Sequence, residues 1–267
     1  MNGNITSKNY KKLVFKAGIS GASFCVIDTL NNNMSDIMQV PFTKGTAIED
    51  ELWKVFTAHP ELKMQYDEIT VLHDNSFNTF VPQALFEEEY MGSYLQYNTK
   101  VFDTDVFAFD SLDSYAINNV YVPFMNINNY LIDRFGAFEY RHTASILTAR
   151  LLDISKNIDE KQVFVHLQDK HFEIVVVRNQ KLLLYNSFEY TTPEDFLYYL
   201  LFTMEQLSLN PEITRVLLLG KADEDNNCFT LAYNYIRNIE LYQPVTLTDK
   251  YHIPVQQASE HFILLNA

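Results

Sequence analysis

Four aspartates, Asp103, Asp105, Asp110 and Asp113, fall close together in the sequence. Carboxylates at that density can hold divalent metals for phosphodiester hydrolysis. Nuclease clusters of this kind begin on the first strand of their sheet, whereas these acids fall in a later loop, so the placement argues against that use. His166 and His171 stand either side of an Asp169-Lys170 turn, and no cysteine or glutamate joins them at the spacing zinc sites use. They read as packed or exposed strand histidines. Cys25 and Cys228 are the only cysteines. They make neither a metal-spaced pair nor a disulfide framework, and nothing brings Cys25 to a histidine as a nucleophile pair. Glu87-Glu-Glu89 reads as a solvated helix face and Asp223-Glu-Asp225 as a solvated loop. No intact catalytic or metal motif emerges.

The elements that position these residues carry more information. Val163–Leu167, Phe172–Val177 and Leu182–Tyr185 are apolar, β-branched runs separated by Asp169-Lys170 and Arg178-Asn179-Gln180, which is a meander signal. Thr192-Pro-Glu-Asp195 caps a helix starting at Pro193, and Val216–Leu219 follows as a buried strand. The N-terminal half repeats the pattern. Leu13–Ala17, Ser23–Ile27 and Asp36–Phe42 predict three strands, with Pro41 at the end of the last. Thr46 is the expected cap of a helix carrying Ile48, Leu52, Val55 and Phe56 on one face, ended by His59-Pro60, and Glu68–Leu72 is the next strand. Val14 and Val163 are 149 residues apart, Ile69 and Val216 147. That near-constant offset points to a duplicated β-β-β-α-β unit.

Between the copies the sequence predicts an extended Asn78–Pro82, a helix from about Gln83 to Tyr97 and a strand pair Asp105–Phe109 with Ala116–Val122. A helix capped by Asn126 and ended by Gly136 follows, then another from Ala144 to Asp153. The linker is Asn157–Glu160. Near the C-terminus it predicts a helix from Asn226 to Ile239 and closing strands at Val245–Leu247 and Phe262–Leu265. The two units are expected to divide near residue 115, giving 1–115 and 116–267.

The chain has 267 residues, 47% of them apolar, and a formal net charge of −14. The composition supports a large core, and the charge opposes non-specific binding to nucleic acid or anionic membranes. Lys8, Lys11, Lys12 and Lys16 come closest to a basic patch and read as a tail and a strand edge. The first eight residues are polar, and no apolar run reaches membrane-spanning length; the longest, Phe196–Phe202, suits a buried helix. The expectation is a soluble, cytoplasmic protein.

The segments Asn119-Val-Tyr-Val-Pro-Phe124 with Asn128-Asn-Tyr130, Asn186-Ser-Phe-Glu-Tyr190 with Glu194-Asp-Phe-Leu-Tyr-Tyr199, and Tyr235-Ile-Arg-Asn238 carry a further likeness. Through them the chain resembles a bacterial family known as domain of unknown function 3822. The resemblance implies an α/β, actin-like ATPase fold of two ribonuclease H-like lobes, each a mixed sheet flanked by helices. Such folds hold Mg–ATP between the lobes, with an Asp-x-Gly after the first strand of each lobe and a Gly-Gly beside adenosine. Here the matching positions are Lys16-Ala17-Gly18 and His166-Leu167-Gln168, and Gly220 is followed by Lys221. The resemblance therefore implies a degenerate cleft formed by Lys16, Gly18, Ser20, Gly21, His166 and Gly220, emptied of its metal-holding acids. The expected function is a non-catalytic module that binds an unidentified protein, with no cofactor. The alternative is a nucleotide- or anion-binding switch in which Lys16 takes the place of the metal and ATP binds without it.

Overall fold

The computed structural model describes residues 8–102 and 104–267; the polar tail and Asp103 of the acid cluster lie outside them. β1 (Lys11–Gly18), β2 (Gly21–Asp28) and β3 (Met38–Pro41) form an antiparallel meander. α1 (Ile48–Ala58) returns the chain to β4 (Glu68–Asp74), parallel to β1. β5 (Asn78–Pro82), α2 (Met91–Leu95), β6 (Ala108–Leu112) and β7 (Ile117–Tyr121) then build an accessory sheet in the order β5-β7-β6. α3 (Met125–Phe135) leads to β8 (Glu139–His142), which completes the first sheet as β3-β2-β1-β4-β8.

α4 (Thr143–Ile154) crosses to the second copy. β9 (Gln162–Leu167), β10 (His171–Arg178) and β11 (Lys181–Glu189) are again a meander. α5 (Pro193–Gln206), β12 (Arg215–Gly220), α6 (Asn227–Tyr233) and β13 (Asn238–Leu241) follow, giving the order β11-β10-β9-β12-β13. α7 (Val245–Tyr251), α8 (Val255–Glu260) and α9 (Phe262–Leu265) close the chain. Among the described residues no helix is long and apolar enough to cross a membrane.

Side chains alternate across a strand, and that alternation builds the interior. Leu13, Phe15 and Ala17 pack outward with α1 and α3, while Val163, Val165 and Leu167 pack outward with α5 and α6. The intervening Val14, Cys25 and Leu72 share one core with Phe164, Val175, Leu217, α4 and α9. Toward the strand ends the same inward register turns polar: Lys16, Ser23 and Asp74 on one sheet, His166 and Glu173 on the other. The duplication is visible in the pairing. Lys16 lies across from Ser23 and Leu72, and His166 across from Glu173 and Leu219.

Several expectations are corrected. Thr46 and Asn126 are not caps: Ala47 and Phe124 hold those positions without a side-chain bond. The expected helix from Gln83 is broken into 3₁₀ turns at Gln83–Leu85 and Glu88–Tyr90 before the short α2. Tyr94 explains the break, because its hydroxyl donates to Leu85 O and accepts from Glu87 N, replacing bonds a continuous helix would have made. The first strand of the expected pair starts at Ala108 instead of Asp105. The helix from Asn226 ends at Tyr233, and Ile239 sits in the closing strand β13. Both expected closing strands are helices. Pro244 starts α7, and Phe262–Leu265 is buried within the shared core, where a short apolar run needs no strand partner. β8 belongs to the first sheet, and Ile127 and Leu131 of α3 pack in its core.

Candidate functional site

A cleft of about 370 Å³ opens where the two sheets turn polar. Its walls include Lys16, Ser20, Gly21 and Asp74 from the first sheet, the Gln168–His171 turn and Lys221 from the second, and Glu260 and His261 from the C-terminal helices. The sequence-predicted residues Lys16, Ser20 and Gly21 line it, while His166 is buried beneath it and Gly18 and Gly220 shape its strand ends.

Lys16 does not extend into water. Its Nζ lies 3.3 Å from Asp74 Oδ2, with both side chains about three-quarters covered. Burial alone would raise the Asp74 carboxyl, but Lys16 and then His171 outweigh it and hold it below its ordinary value. Thr143 donates to the other oxygen, Oδ1, at 3.2 Å. On the second sheet the polarity of this arrangement is reversed. The acid, Asp169, sits in the turn after β9, and the base, Lys221, follows β12, with Nζ 2.6 Å from Asp169 Oδ2.

Below the second pair, Glu173 is clamped by two histidines. His166 Nδ1 is 2.8 Å from its Oε2 and His171 Nε2 is 3.3 Å from its Oε1. Gln168 Nε2 lies 3.0 Å from the far nitrogen of His166. Burial opposes the charge on Glu173, yet His166 and His171 together hold it well below the usual carboxylate range. Burial also opposes the charge on His171, but Glu173 and Asp74 raise it to about 9. The two histidines, read from sequence as unrelated, are thus brought to one carboxylate. The signal was present: in a tight hairpin Glu173 falls opposite His166 and two residues from His171 on the same face. Asp74 was missed because its strand was expected to end at Leu72.

The glycines answer to the sheets. A Cβ on Gly18 would lie 2.8 Å from Asp74 O, and one on Gly21 2.7 Å from Val40 O. Gly220 has φ +86°, and a Cβ there would meet Leu167 O at 2.4 Å. Its bend lets Lys221 N donate to Leu167 O at 2.7 Å. Close backbone approach within the fold therefore accounts for all three.

The expectation of a gap emptied of acids is not met. Asp74, Asp169 and Glu260 line the cleft and Glu173 underlies it. These carboxylates come from positions other than the Asp-x-Gly sites, and three of the four are held by a lysine or by histidines; Glu260 accepts from Gln39 Nε2 at 3.1 Å, tying α8 to β3. Among the described residues no group of three or more His, Cys, Asp or Glu side chains is arranged to hold a metal. Asp74 and Asp169 are each paired with a lysine, and Glu173 with two histidines. Outside the cleft, His73 and His142 are buried and held neutral. Burial lowers His73 to about 4 despite its bond to Asn128, and lowers His142, whose Nδ1 caps α4, to about 3. Asp110, from the acid cluster, is consumed structurally by Ser145, His142 N and Tyr121.

Comparison with known proteins bears on this arrangement. The family described as "Protein of unknown function (DUF3822)" matches residues 1–239. No curated protein matches. A crystal structure from Bacteroides thetaiotaomicron VPI-5482, of a protein with actin-like ATPase fold and unknown function, is similar at 18% identity, with 100% of both chains covered and a TM-score of 0.83. A chain of the PilM-PilN type IV pilus biogenesis complex is similar at 11% identity, covering 95% of this chain and 96% of that one, with a TM-score of 0.61. The fold is that of the actin-like ATPases.

Proposed function

The chain belongs to the DUF3822 family, and on that footing we propose that it is a non-catalytic actin-like protein that works by binding another protein. The observation that carries this reading is the state of the cleft. Lys16 is tied to Asp74 and Lys221 to Asp169, so two of the three lysines that line the cleft are already paired. A nucleotide drawing on those two lysines would have to break both pairs, and it would meet Glu260 and the Glu173 carboxylate behind them. The PilM-PilN complex offers a precedent for a chain of this fold joined to a protein partner.

The test is a melting experiment with millimolar Mg–ATP, ADP and GTP. A ligand at about 100 times its dissociation constant adds about 2.7 kcal/mol of apparent stability. No shift is expected. A shift with any nucleotide that Lys16→Ala abolishes would replace this reading with an anion-binding switch.

A further inference from the structure

We infer that the outward face of α5 docks an amphipathic segment of a partner protein that carries lysine or arginine beside its apolar residues. This rests on the reading of the chain as an interaction module and names the surface that does the work. The outward stripe of α5 runs Glu194, Tyr198, Phe202, Glu205, spaced four, four and three residues apart, so all four share one face. Tyr198 is 63% exposed and Phe202 45%. Single exposed aromatics are common, but these two are organised. Their rings stack with centroids 6.1 Å apart and planes 15° off parallel.

The pair is the outer end of a ring series rooted in the core. Tyr198 meets Tyr199 at 5.3 Å, Tyr199 stacks on Phe188 at 4.7 Å, and Phe188 reaches the buried Phe172 at 5.6 Å. The series fixes the exposed rings before any partner arrives, which lowers the ordering cost of binding. Aromatic residues are also poorer helix formers than alanine, leucine or glutamate, so helix stability does not account for them at exposed positions.

Charge decides the occupant. From Leu182 through Thr214 the chain has Glu189, Glu194, Asp195, Glu205 and Glu212 and not one lysine or arginine. Lys170, Lys161 and Arg237 touch this segment near or beyond the two ends of the helix, Lys170 O accepting from Tyr190 N, Lys161 Nζ donating to Leu207 O and Arg237 N donating to Pro211 O. An apolar stripe ending in acid at both ends complements an apolar stripe ending in base. A second copy of this chain would bring two such acidic faces together, each on a molecule of net charge −14.

The probe is a short synthetic helical peptide of leucine and lysine, with a leucine–glutamate peptide as control, followed by fluorescence anisotropy at physiological salt. The lysine peptide is expected to bind and the glutamate peptide not. The double variant Tyr198→Ala, Phe202→Ala keeps the charge and is expected to weaken binding at least about tenfold, equivalent to about 1.4 kcal/mol, with an unchanged melting temperature. Equal binding by the variant would overturn the proposal, since attraction would then be charge alone. No binding by the wild type would also overturn it, as would a wild-type dimer lost in the variant. These results are separable from the nucleotide experiment: a peptide failure with no nucleotide shift leaves the module reading in place, whereas a nucleotide shift removes that reading whatever the peptide does.

Discussion

Lys16 and Asp74 lie on neighbouring parallel strands with Nζ 3.3 Å from Oδ2, and this contact lines one wall of the cleft between the two sheets. Lys16→Met removes the cation and leaves Asp74 with the Thr143 hydrogen bond and the nearby charge of His171. Because the pair is only partly buried, the expected loss is about 1 kcal/mol, or a fall in melting temperature of roughly 2–4 °C for a chain of this size. An unchanged melting temperature would show the contact to be energetically idle.

Glu173 is more deeply committed. Glu173→Gln keeps the shape but removes the charge that both histidines face. The expected cost is about 3 kcal/mol, read by urea denaturation. Proton NMR should find His171 no longer held near 9 but at or below its ordinary 6.5. A titration still near 9 would mean that Asp74 alone supports its charge.

Stability should peak close to pH 6.5. His171 is raised from 6.5 to about 9, so its contribution is complete below 6.5 and fades as pH rises through 9. His73 and His142 are lowered from 6.5 to about 4 and about 3, so their contributions are complete above 6.5 and fade as pH falls through those values. Glu173 is lowered from 4.5 and adds to the acid-side loss. On the acid side each histidine costs up to about 1.4 kcal/mol per pH unit until its folded value is reached, so the curve should fall more steeply there. Melting temperatures across pH 4 to 10 test this; a plateau extending down to pH 4 would contradict it.

Two glycines with nearly the same backbone angle should respond differently to alanine. At Gly45, φ is +88° and a Cβ would meet nothing within 4 Å, so Gly45→Ala should cost about 1 kcal/mol. At Gly220 the Cβ would press on Leu167 O, so Gly220→Ala should cost several times more or prevent folding. If Gly220→Ala melted like the wild type, close packing would not be the reason for that glycine.

Cys25 should resist thiol reagents in the native state. Burial pushes its thiol up to about 12, against which the pull of Lys12 is small. Rapid modification of Cys25 without denaturant would show that the shared core opens readily.

The duplicated meanders were legible because apolar runs and turn residues such as Asn179 and Gln180, both at positive φ, are local signals. Thr192 and Asn226 cap α5 and α6 for the same reason. The helices at Val245 and Phe262 were not legible, because a short apolar run states that it is buried and not what surrounds it. The cleft was half legible. Register from the sequence put Lys16 and His166 in equivalent places. Their partners Asp74 and Glu173 depend on where a strand ends and how a hairpin aligns, and boundaries of that kind are set by packing between distant segments. The ion pair of Lys221 with Asp169 spans 52 residues and leaves no periodic trace.

The burial of α9 beside Val14 and Phe164 has a bearing on biosynthesis. During translation both meanders can emerge and pair within themselves while their facing apolar surfaces remain uncovered. Closure of that core is completed only when residues 262–265 leave the ribosomal tunnel, so a polypeptide terminated before them would expose apolar surface where α9 packs, and quality control would meet it as a client for chaperones or proteolysis.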